Sequence, residues 1–167
     1  MSTYTNDRPS FAELIARAAG ETAYKLPVEG RGTRRMEAPQ VHDALHALAA
    51  ARLGPDDIGP DIAFDRCTGT GRHAQRVLLM TGRAIEEAGR HSVGGLAAAR
   101  RLAGYRAVLA AIAYNAVARG LPVPPAPNER VRKDYEATVL FAIAWLESQA
   151  NEALSRAAGL YWRRDAA

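Results

Sequence analysis

Apolar residues in this chain recur at three- and four-residue spacing in every long segment, and no alternating apolar–polar run of useful length appears. That periodicity belongs to helices that bury one face, and it leaves no sheet as an organising layer. The fold class expected is all-α, a compact bundle or orthogonal array of five to six helices with a long C-terminal helix after a Pro-rich connector. At 167 residues the chain can bury a core without staples.

Start and stop residues divide it. Ser10-Phe11-Ala12-Glu13 is a capping box, followed by Phe11, Leu14, Ile15, Ala18 and Ala19 at helical spacing, with Gly20 as the expected stop. Residues 21–36 are irregular and end in a basic Arg31-Gly-Thr-Arg34-Arg35 arm. A second helix is predicted over Pro39–Leu53, with Val41, Leu45, Leu48, Ala49 and Leu53 as its stripe, ended by Gly54-Pro55. Residues 55–71, rich in Asp and Gly, predict a structured loop with one short turn near Ile62–Arg66. A third helix follows over Arg72–Ala88, its apolar face formed by Ala74, Val77, Leu78, Thr81, Ala84, Ile85 and Ala88. A helix bent near Gly104 then runs from Ser92 to Arg119. The domain expected is 1–120, followed by a stiff connector over 121–128 and a C-terminal element over 129–167. Asn128 is positioned to cap the last helix, predicted over Glu129–Ala158. That helix either packs back on the domain or serves oligomerisation. Its run Val139–Leu146 is apolar all round.

Charge is distributed unevenly. Lys and Arg number 22 against 18 Asp and Glu, a net of +4, and only Lys25 and Lys133 are lysines. Arginine favours bidentate phosphate or carboxylate contacts, although a GC-rich genome would enrich Arg, Ala and Gly together. Arg72, Arg76, Arg83 and Arg90 stand at spacings of 4, 7 and 7. On a helix they fall within roughly 40° of one another. Glu86 and Glu87 can neutralise Arg90 and Arg83 at i,i+4, which leaves Arg72 and Arg76 as the unpaired half. From Arg72 to Arg106 seven arginines meet two glutamates, so the excess charge is concentrated there. The alternative is a solvated face with some pairs to the acidic 56–65 segment.

Thr68-Gly-Thr-Gly-Arg72-His73 lies just before a predicted helix start, where free N–H groups and the dipole favour an anion. It lacks the Gly-Lys-Ser/Thr ending of a P-loop, and no strand precedes it. Thr70 serving as a plain helix cap is the competing reading. Residues Ala98–Leu109 resemble a helix-turn-helix in spacing, with a tight turn at Gly104. The helix that follows offers only Arg106, Tyr114 and Asn115 to base edges. His42 and His46, at i and i+4, have metal-ligand spacing, but Asp43 stands where a zincin-type helix has its glutamate. No metal or other cofactor is expected, and no acid–base or nucleophile constellation is apparent.

The function expected is therefore non-enzymatic: a regulatory protein binding nucleic acid or a nucleic-acid-associated complex. Its contacts would be Arg72, His73, Arg76, Arg83, Arg90, Arg100, Arg101 and Arg106, with Arg34 and Arg35 on the arm. The alternatives are an adaptor or inhibitor facing an acidic protein partner, anchored by Val139, Phe141, Trp145, Leu146, Tyr161 and Trp162, or a homo-oligomeric structural subunit. The lone Cys67 and the lack of an apolar leader or membrane-length run predict a cytoplasmic protein with no membrane partner.

Overall fold

A computed structural model describes residues 9–23, 37–91 and 103–164. Six α-helices and one 3-10 turn make up the described chain: α1 (Phe11–Ala23), α2 (Glu37–Ala50), α3 (Gly59–Thr68), α4 (Ala74–His91), a 3-10 turn (Ala103–Tyr105), α5 (Arg106–Arg119) and α6 (Arg132–Arg164). The all-helical expectation is met, and no strand occurs among the described residues.

α6 is the axis of the fold. Tyr135, Val139, Ala142, Leu146, Ala150, Ala153, Ala157 and Tyr161 form one buried seam along its 33 residues. The other helices pack on that seam, α3 and α5 most extensively and α2 next, while α1 lies across α2 and α3. Small residues in the second half of the seam let neighbouring backbones approach closely. A Cβ added to Gly59 would stand 2.8 Å from the Gln149 carbonyl oxygen.

The capping box is present: Ser10 N–H donates to Glu13 Oε2 at 2.6 Å, and Glu13 N–H donates to Ser10 Oγ at 3.3 Å. The Ser10 N–H also holds the Glu13 carboxyl below its ordinary value. α1 continues through Gly20 to Ala23, because an isolated helix glycine costs only about 1 kcal/mol. α2 ends at Ala50, earlier than expected. Arg52 and Leu53 leave the helix to serve the next segment, and Leu53, expected in the apolar stripe, is 76% exposed.

The largest departure is α3. The segment expected to be mostly loop is a ten-residue helix, with Pro60 in its first turn and Gly69 at φ 67° closing it. Gly120, at φ 64°, ends α5 as expected, and Asn128 Oδ1 accepts the Val131 N–H at 3.2 Å at the entrance to α6. The connector between them is tied down where Tyr135 Oη donates to the Pro124 carbonyl at 2.6 Å. α6 then runs past Gly159. No described helix is long and apolar enough to cross a membrane.

Candidate functional site

α3 places Asp61 and Asp65 four residues apart, so both project from one face, and that face is buried. Buried carboxylates require donors. Asp61 accepts two bonds from Arg52, at 2.6 and 3.1 Å, and stands 3.4 Å from Arg76 Nε and 3.5 Å from His73 Nδ1. Its bidentate hold raises the Arg52 pKa further above its ordinary value. Asp65 accepts the Tyr114 hydroxyl at 2.8 Å and the His73 backbone N–H at 3.0 Å. Asp57, just ahead of α3, accepts the Leu53 and Gly59 N–H groups and Arg156 Nη2 at 3.0 Å. Three aspartates thus face Arg52, Arg76 and Arg156, and the cluster ties α3 to its neighbours. Among the described residues no buried side-chain nitrogen or oxygen is left without a hydrogen-bond partner.

This arrangement changes the reading of the 68–73 segment. Gly69 and Gly71 take positive φ, at 67° and 68°, and Thr68 Oγ1 lies 2.9 Å from Thr70 Oγ1. The His73 N–H, in the turn just before α4, donates to the Asp65 carboxylate. A carboxylate of the chain itself therefore lies beside this end of α4, while Thr70 Oγ1 is turned to Thr68 Oγ1. Burial, followed by the bond to Asp65, pushes the Tyr114 pKa well up.

The arginines of the predicted stripe have different fates. Arg76, expected to be available, is held internally: Nη2 donates to the Pro55 carbonyl, and Nε lies beside Asp61. Arg90 pairs with Glu86 at 2.7 Å, and Arg106 pairs with the other oxygen of the same Glu86. Arg106 is therefore committed rather than poised for base edges. Arg83 is exposed, its Nη1 3.8 Å from Met80 Sδ. Arg72 is exposed. His73 is half-buried with its ring edge-on to Phe64. Arg34, Arg35, Arg100 and Arg101 lie outside the described residues, as does the first half of the helix-turn-helix-like segment. Its second half, α5, is packed between α4 and α6 with Leu109, Ala110, Ala113, Tyr114 and Ala118 buried.

One cation was missed by sequence reasoning. Arg119, on the last turn of α5, sets Nη2 3.1 Å from where a Cβ on Gly71 would lie. Arg72, Arg83 and Arg119 are exposed, and no described carboxylate lies within ion-pair distance of them. Arg83 lies on α4, and Arg72 lies in the turn just ahead of it, eleven residues earlier in sequence. Arg119 thus comes beside the Gly71–Arg72 turn, while Arg83 stands further along α4, where Gln75 and Leu79 are also exposed.

The remaining candidates sort by burial. Val139, Leu146 and Tyr161, expected as partner anchors, belong to the protomer's own core. Phe141 and Trp162 are exposed, and Trp145 is half-buried. His42 and His46 bring their Nε2 atoms to 3.1 Å on the surface of α2, and among the described residues no group of three potential ligands forms. Cys67 is half-buried, and burial raises its thiol pKa.

No family model matches this chain, and neither a curated protein nor a solved structure matches it significantly.

Proposed function

We propose that this chain is a non-enzymatic nucleic-acid-binding module that engages backbone phosphates through Arg72, Arg83 and Arg119. One observation carries the reading: these three guanidinium groups are exposed with no described carboxylate within ion-pair distance, while the neighbouring Arg76, Arg90 and Arg106 are held by acids of the same chain. Guanidinium groups with no internal carboxylate are suited to phosphate oxygens. The contact is chiefly electrostatic, and Gln75 is the one polar side chain placed between Arg72 and Arg83 to meet a base edge.

The test is fluorescence anisotropy of a labelled DNA duplex with the full chain across a salt series. Each phosphate neutralised contributes about −0.9 to the slope of log Kobs against log salt. Three contacts give a slope near −3 per protomer. A flat response, or no binding at low salt, overturns the reading. The second reading, an adaptor facing an acidic protein, is favoured by exposed Phe141 and Trp162. It is recognised by loss of partner capture on changing those aromatics with duplex binding absent throughout.

A further inference from the structure

The outward face of α6, opposite its buried seam, carries an apolar strip. Leu140 is 65% exposed and Phe141 40%, flanked one turn away on either side by exposed Ala137 and Ala144. Two large residues between two small ones make a pattern that reads the same when reversed, as a two-fold interface requires. The pair Ala137 and Ala144 and the pair Leu140 and Phe141 share a midpoint between residues 140 and 141. The ends of the strip are oppositely charged. Lys133 precedes it and Glu147 follows it, both exposed, and neither has an ion-pair partner among the described residues of its own chain. Fourteen residues place them about 21 Å apart on the same edge of the helix, about 40° apart around it.

From this pattern we infer that α6 is a homodimer interface, two copies packing antiparallel about a two-fold axis at Leu140–Phe141. In that arrangement Lys133 of one copy comes opposite the partner's Glu147 on both sides of the axis, Leu140 and Phe141 pack on the partner's Phe141 and Leu140, and Ala137 faces the partner's Ala144. A parallel pair would oppose Lys133 to Lys133 and Glu147 to Glu147, so charge selects the antiparallel register. A strip one helix wide covers less than the roughly 1,600 Å² of a standard interface, so a reversible, concentration-dependent dimer is expected.

Sedimentation equilibrium of the full chain tests this directly. The weight-average mass is expected to rise with concentration from the 18.0 kDa of one chain toward twice that value. Leu140→Glu with Phe141→Glu, both on the surface, should hold the chain monomeric with its helical circular dichroism unchanged. Glu147→Lys alone should weaken association about tenfold, since each change acts twice across the axis. Adding Lys133→Glu to it should restore wild-type association. A chain that stays monomeric into the millimolar range overturns the inference, as does a dimer indifferent to the 140/141 change. Failure of the charge swap to restore association overturns the antiparallel register. Duplex binding by a monomer is scored separately, so this inference and the phosphate-binding proposal fail independently.

Discussion

Replacing Asp65 with asparagine probes the buried cluster at its centre. Asp65 is fully buried and holds two donors, the Tyr114 hydroxyl at 2.8 Å and the His73 N–H at 3.0 Å. Hydrogen bonds to a charged group contribute about 1.5–3 kcal/mol each, and a neutral one about 1 kcal/mol. Asparagine keeps one acceptor of the same size, loses the charge and turns an NH2 toward the second donor. The expected cost is about 3 kcal/mol, a fall of roughly 6–12 °C in Tm for a chain of this length. Tyr114→Phe removes one donor and leaves the other, so about 2 kcal/mol is expected. The two residues act on the same bond, and the double variant should be less destabilised than the sum by about 1–2 kcal/mol. Urea unfolding followed by circular dichroism and by the fluorescence of Trp145 and Trp162 measures all four corners of the cycle. A loss below about 1 kcal/mol for Asp65→Asn, or additivity within about 0.5 kcal/mol, would refute the view that Asp65 is a structural anion tying Tyr114 to the turn before α4.

The raised Tyr114 pKa sets a pH dependence. The unfolded tyrosine ionises near its ordinary 10.0 while the folded one keeps its proton. Its contribution is full below that value and is lost as pH rises, at up to about 1.4 kcal/mol per pH unit. Tyr114→Phe should flatten that slope in alkaline urea titrations. Ser10→Ala should remove the cap of α1 and cost about 1 kcal/mol by thermal melts. Gly59→Ala should destabilise by about 1–3 kcal/mol, because its Cβ would meet the Gln149 carbonyl backbone. Gly82→Ala, with open space in the middle of α4, should stabilise by about 0.5–1 kcal/mol in the same melts.

The features legible in the sequence were those with local causes. Ser10 and Glu13 sit three residues apart, Gly120 takes the left-handed turn that ends α5, and Asn128 reaches three residues ahead. Gly59-Pro60 and several aspartates punctuate turns and so mask α3 in the sequence, yet Pro in a first helical turn starts a helix as readily. The partners that make Asp61 and Asp65 bearable inside the fold are Arg52, on the preceding loop, and Tyr114, 49 residues downstream. Nothing in local spacing announces them. The nearest signal was a lone tyrosine in the nearly uncharged stretch that became α5, a polar tip that had to find a partner. The arginine spacing assumes one helix through Arg72, but Arg72 lies in the turn before α4, and Arg76 is drawn to the 55–61 segment by contacts made only on folding. Arg119 was overlooked because it comes beside the Gly71–Arg72 turn, far from it in sequence.

The most direct test of the phosphate-binding proposal compares Arg72→Ala/Arg83→Ala/Arg119→Ala with Arg76→Ala by duplex anisotropy across a salt series. The triple variant should keep the wild-type Tm and lose about 2–3 from the salt slope. Arg76→Ala should keep the wild-type slope and lose about 1 kcal/mol of stability, because its half-exposed guanidinium serves the fold. A triple variant that binds as the wild type does, or binding lost only through Arg76, would contradict the proposal.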